Sequence, residues 1–229
     1  MAEPLLVFEG VSLHSEEGRS ILRGLHWSLE RGTKVNVRSS SGGDATALLR
    51  LAAGLTYPQE GRVILDGIPL GPYAFDHPFL QRGALGWVPQ EGGLLVNQSL
   101  RLNVALPLMF TKGMARSAAE ALAAKALAEA GLAEVAEHRP HVLDPRERWL
   151  GALVRAALME PELWLLDQPP GVLDRRLREA VAPFLNRAIA SAAAMLVVEG
   201  DSWMPRNTMP GIGLENGRLV PEESDAIRA

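Results

Sequence analysis

The chain has 229 residues, 47% of them hydrophobic and 22% charged, with a formal net charge of -4. That length supports one large α/β domain with a sizeable core, and the charge balance leaves no basic footprint for nucleic acid. The absence of cysteine excludes disulfides and thiolate metal sites.

The start, MAEPLLVFEGVSL, is too short and too acidic for a signal peptide. The longest nearly uncharged stretches, such as Ala188 to Val198, fall short of the roughly 20 residues of a spanning helix. A soluble protein is expected, reaching a membrane only through a partner.

Residues 5–37 alternate apolar and polar positions, with turn signals at Glu16-Glu17-Gly18 and Glu30-Arg31-Gly32. The pattern predicts antiparallel strands ending in a buried strand over Lys34–Val37. A Gly42-Gly43 turn then leads into a helix over Ala45–Ala53. GRVILDG (61–67) predicts a strand closed by a turn, and LGWVPQ (85–90) another strand. From Ser99 to Ala136 the apolar spacing becomes helical, and 146–159 is amphipathic. LWLLD (163–167) and MLVVEG (195–200) read as buried strands around a helix over 172–191. Strands alternating with helices imply a mainly parallel sheet covered on both faces.

In this order, the Gly-rich turn, LRLAAGL, GRVILDG, VPQ, LWLLDQPPGVLD and LVVEGD resemble the ATP-binding cassette of ABC transporters, from about residue 5 to 220. The resemblance implies a P-loop NTPase fold of class α/β, a mainly parallel sheet flanked by helices, with an antiparallel β subdomain and a helical subdomain. It implies a single cassette domain over 1–229, with a core of 1–95 and 160–220 and the helical subdomain at about 96–159.

The family's phosphate loop cradles phosphates on backbone N–H groups, with a lysine at the β and γ oxygens and a Ser/Thr hydroxyl on magnesium. Matched to it, the nucleotide-binding positions are Ser41, Gly42, Gly43, Asp44, Ala45 and Thr46 in the loop, with Gln90, Asp167 and Gln168 elsewhere. Arg38 stands at the first glycine, Asp44 at the lysine and Ala45 at the magnesium hydroxyl, while Thr46 keeps the second hydroxyl. Two unit charges about 4 Å apart interact by roughly 4 kcal/mol at an effective dielectric near 20. Exchanging lysine for aspartate beside a triphosphate therefore costs on the order of 5–8 kcal/mol before relaxation. Arg38 would recover only part of this from the wrong end of the loop, and magnesium bridging Asp44 to phosphate would be a further rescue.

The other matched positions depart in the same direction. Gln168 replaces the general-base glutamate after Asp167, and an amide cannot take a proton from water. Gly200 stands at the switch histidine, with Glu199 before it. The signature motif reads Leu143-Asp144-Pro145-Arg146-Glu147, and His14 or Ser15 replaces the adenine-stacking aromatic. Gln90 and the Gly171-Val172-Leu173-Asp174 loop keep family form. A pseudo-ATPase is expected, with no catalytic residue, no metal site and no required cofactor; ATP with magnesium would be the ligand if one binds. On their own, Asp167 reads equally as a capping or ion-pairing carboxylate, and the five histidines as surface or loop residues.

VPQEGGLLVNQSLRLNVALPL (Val88–Leu108) resembles cassettes of Mce-type phospholipid transport systems, and cassettes of lipoprotein exporters share part of it. The resemblance implies an integral-membrane permease as partner, docked against Gln90, Leu94, Leu95, Leu106 and Leu108. It also implies a homodimer, or a heterodimer with a second cassette, at the cytoplasmic face of the inner membrane. Two alternatives stay open: an active ATPase that uses Asp44 or Glu199 in new roles, and a soluble regulator without a membrane partner.

Overall fold

The computed structural model describes residues 4–39, 42–72, 74–169, 190–199 and 209–221, with isolated helical positions at 182, 184 and 186. Strands β1 (Pro4–His14) and β2 (Ser20–Glu30) form an antiparallel pair. β4 (Glu60–Leu65) pairs antiparallel with β1, and β5 (Ile68–Pro69) with β4, giving a four-stranded sheet in the order β2-β1-β4-β5. Leu65 and Ile68 pair across Asp66-Gly67, whose φ values of 52° and 75° are the left-handed pair that a two-residue hairpin turn requires.

β3 (Lys34–Ser39) leaves that sheet and enters a second one with β6 (Leu85–Val88), β7 (Leu163–Asp167), β8 (Ala194–Glu199), β9 (Gly211–Glu215) and β10 (Arg218–Pro221). Its order is β10-β9-β3-β8-β7-β6, all neighbours parallel except the β9/β10 hairpin. β7 explains why LWLLD carries no alternation. Leu163 and Leu165 enter a core with the antiparallel sheet and α1 (Gly42–Ala52), while Trp164 and Leu166 enter a core with α3 (Leu100–Phe110), α4 (Arg116–Glu129) and α5 (Pro145–Ala157).

Alanines make α4 thin enough to pack closely: Ala119, Ala123 and Ala126 are buried beside Leu127. The short helix α2 (Pro78–Gln81) corrects one expectation. His77 is buried rather than superficial, its Nδ1 accepting from the Phe79 N–H at 3.2 Å and its Nε2 lying 3.2 Å from the Ile68 carbonyl. No helix among the described residues is long and apolar enough to cross a membrane.

Candidate functional site

The C-terminal ends of β3 and β7 and the first turn of α1 converge, as ligand crevices do in open α/β sheets. Asp44 sits in that first turn, where the helix's positive end favours a carboxylate. Arg19 reaches it from the end of the β1–β2 connection: Nη1 donates to Oδ2 at 2.9 Å and Nη2 to Oδ1 at 2.6 Å. This is the two-point fork by which guanidinium binds carboxylate most firmly. The bond to Asp44, with its charge, raises the Arg19 pKa above its ordinary value. Arg19 thus ties the antiparallel sheet to the helix that follows β3.

Behind this pair lies a hydroxyl–carboxylate contact. Thr46 Oγ1 donates to Asp167 Oδ1 at 2.8 Å, and Gln168 Nε2 donates to the same Thr46 oxygen at 3.2 Å. Asp167 is 2% exposed. Burial pushes its carboxyl up, opposed by the Thr46 hydroxyl, the Gln90 backbone N–H and the charge of Arg50. Gln168 follows the strand with φ at 40°, a left-handed backbone that costs a non-glycine residue energy, and its N–H donates to the Val198 carbonyl at 2.8 Å. Ala45 is fully buried in the core and offers no polar atom. Ser41, Gly200 and the 171–174 loop lie outside the described residues.

A second helix start is closed by its own side chains. Asp144 is the N-cap of α5 and Pro145 its first residue. The Glu147 N–H donates to Asp144 Oδ1 at 2.8 Å, and the Asp144 N–H donates to Glu147 Oε2 at 2.9 Å. This reciprocal capping box satisfies two of the free donors that a helix N-terminus otherwise offers an anion.

The docking positions divide. Leu95 is 52% exposed and its neighbour Val96 is 70% exposed. Leu94 is partly buried against the helical core, Leu106 is half-buried and Gln90 is exposed. Leu108, at 3%, belongs to the core and is not available to a partner. The reason is helix phase: Val104, Ala105 and Leu108 share the inward face of α3.

A cleft of about 840 Å³ opens beside His14, Arg23 and His26, and one of about 780 Å³ beside Arg31, Leu158 and Trp164. Neither is lined by Asp44, Thr46, Asp167 or Gln168. Among the described residues no three acidic or histidine side chains stand together as a metal site.

Sequence reasoning missed Arg19, because nothing local marks its long-range partner. It also passed over Asn103, a lone polar residue in the apolar run LRLNVALPL, which the structure buries to 1%.

Residues 22–171 match the family model described as ABC transporter. The chain is 33% identical over 223 residues to the lipoprotein-releasing system ATP-binding protein LolD of Chromohalobacter salexigens, covering 95% of this chain and 93% of the relative. Bordetella pertussis LolD is 32% identical, covering 96% of each. The Fe(3+) ions import ATP-binding protein FbpC 2 of Pectobacterium atrosepticum is 32% identical over 185 residues, or 80% of this chain and 52% of that protein. Among solved structures, the dimeric post-hydrolysis ATP-binding cassette MJ0796 superposes with a TM-score of 0.81 at 24% identity, over 98% of this chain and 99% of that one. That likeness shows the P-loop NTPase fold, and with the family match and the full-length relatives it means that the chain belongs to the ABC transporter family as an ATP-binding cassette.

Proposed function

We propose that this cassette is a subunit of an ABC transport complex that neither binds nor hydrolyses Mg-ATP. It docks on an integral-membrane permease at the cytoplasmic face and serves a lipid-bearing cargo. The observation that carries the proposal is the Arg19 fork on Asp44, an internal ion pair at the position the family gives to its phosphate-binding lysine. A triphosphate arriving here would meet a carboxylate and would have to displace a guanidinium already satisfied. The carboxylate-capped start of α5 supports the same reading at the other half of the family's shared site. With Asp44 at the family's lysine position and Ala45 at its magnesium hydroxyl, the residues present do not fit a magnesium nucleotide.

Support for the cargo comes from the relatives, which are named for lipoprotein release, and from Val88–Leu108, which resembles cassettes of phospholipid systems. Both classes carry acyl chains. The intact Thr46–Asp167 contact favours the runner-up, a cassette that binds nucleotide without turning it over.

Titration calorimetry with Mg-ATP separates the two readings. No heat is expected from the wild-type chain, and a micromolar affinity would overturn the non-binding reading. Asp44→Lys with Ala45→Ser, in an Arg19→Ala background that removes the new repulsion, is expected to recover measurable binding. Phosphate release should stay absent, because Gln168 and Gly200 remain.

A further inference from the structure

The loop between β6 and α3 is held from two sides by side chains that no phosphate-site reading uses. Arg155 of α5 donates from Nη1 to the Gly93 carbonyl at 2.8 Å and from Nη2 to the Gly92 carbonyl at 3.3 Å. Asn103 of α3 does more. Its Oδ1 accepts from the Leu95 N–H at 2.6 Å, and its Nδ2 donates back to the Leu95 carbonyl at 3.1 Å. The same Nδ2 lies 3.3 Å from the Gln98 carbonyl and 3.0 Å from that of Ser99. The buried amide thus pairs with Leu95 as a neighbouring strand would, with one bond each way. Ser99 then caps α3, its Oγ accepting from the Leu102 N–H at 3.2 Å.

This rigging surrounds a segment that points its apolar side chains outward. Leu95 and Val96 are 52% and 70% exposed, and Gly92 to Ser99 carries no charged residue. An apolar pair on a mobile loop would lose its freedom on docking, and that entropy cost would weaken binding. Here that ordering is already complete. An uncharged, apolar tip suits the apolar face of a partner helix, since interface centres exclude charge.

We infer that Asn103 is a positioning residue for partner docking: it fixes Leu95–Ser99 so that Leu95 and Val96 meet an apolar helix of the membrane subunit already ordered, with Arg155 steadying the preceding turn. The inference rests on the membrane-docked reading above.

The test uses the full chain and the integral-membrane protein recovered with tagged wild-type chain from native membranes in mild detergent, identified and re-purified. Asn103→Asp keeps the shape but turns three carbonyls against a carboxylate. It should speed amide exchange at Leu95 at least tenfold, and weaken retention of the membrane protein on the order of tenfold. The loss should match that of Leu95→Ala/Val96→Ala, and the combined variant should lose no more, because both changes remove the same contact. A purely structural asparagine would lower the melting temperature and add its loss to that of the double variant. Arg155→Lys, which leaves the core untouched and reaches one carbonyl in place of two, should show a smaller loss and guards against misfolding of the Asn103 variant. Equal retention by wild type and Asn103→Asp, or unchanged exchange at Leu95, overturns the inference alone. Recovery of no membrane protein by the wild-type chain overturns the docking reading, and the inference with it.

Discussion

Asp144 and Glu147 exchange hydrogen bonds across the first turn of α5, each side chain accepting the other's backbone N–H at 2.8–2.9 Å. The donors at the start of α5, where the sequence resembles the family's signature motif, are thereby spent on the helix itself. A helix start can satisfy its free donors with a ligand or with its own side chains, and the second choice stabilises the free protein.

Asp144→Ala should therefore destabilise the chain by about 1 kcal/mol, lowering the thermal midpoint by roughly 2–4 °C. Asp144→Ser keeps an N-cap oxygen and should recover most of that loss. Equal midpoints for Ala and wild type would mean that Pro145 and packing alone set the start of α5. Differential scanning calorimetry of the three proteins decides the matter.

The sheet, the order of elements and the buried strands were legible because each leaves a local mark. LWLLD is apolar at every position since both its faces are covered, and Asp66-Gly67 is a turn dipeptide between two alternating runs. The charge at Asp44 was equally visible, yet its partner was not. Arg19 lies 25 residues away in the β1–β2 connection, and no spacing rule links a loop arginine to a helix start. Asp144-Pro145-Arg146-Glu147 fits a capping box three residues apart and could have been read as one. Leu108 was misplaced for a different reason. α3 is apolar nearly all round, so its sequence does not distinguish the core face from a face left for a partner.

Asp167 makes a pH-dependent prediction. Burial raises its carboxyl above the ordinary 3.8, so the folded chain holds that proton more tightly than the unfolded chain. The resulting stability is fully present below the unfolded value and is lost as pH rises through the folded one. At neutral pH the buried charge is a standing cost. Asp167→Asn can still accept from Thr46 and carries no charge, so it should melt above wild type at pH 7. The gap should close as the pH is lowered toward 4. A gap independent of pH would show that packing, not ionisation, separates the two proteins.

Leu95 and Leu108 offer a contrast within one segment. Leu108→Ala empties a core position on α3 and should cost about 2–5 kcal/mol, enough to threaten folding. Leu95→Ala removes a side chain that is half in solvent, and should leave the unfolding midpoint in urea nearly unchanged. If the two variants lost equal stability, Leu95 would be part of the core and could not serve as a docking tip.

Gln168 combines a side-chain bond with a strained backbone, and two substitutions separate them. Its amide donates to Thr46, while its φ of 40° lies where a Cβ crowds the following carbonyl. Gln168→Ala loses the amide and keeps the Cβ; Gln168→Gly loses both. At most positions Ala is the more stable of the two, because glycine gives up more chain entropy on folding. At 168 the order should reverse, with Gly above Ala by about 1 kcal/mol, since relief of the left-handed conformation outweighs the entropy. Urea unfolding of both variants measures the difference directly. If Ala proved the more stable, residue 168 would not hold this backbone in solution, and the Thr46–Gln168 contact, which depends on it, would be lost as well.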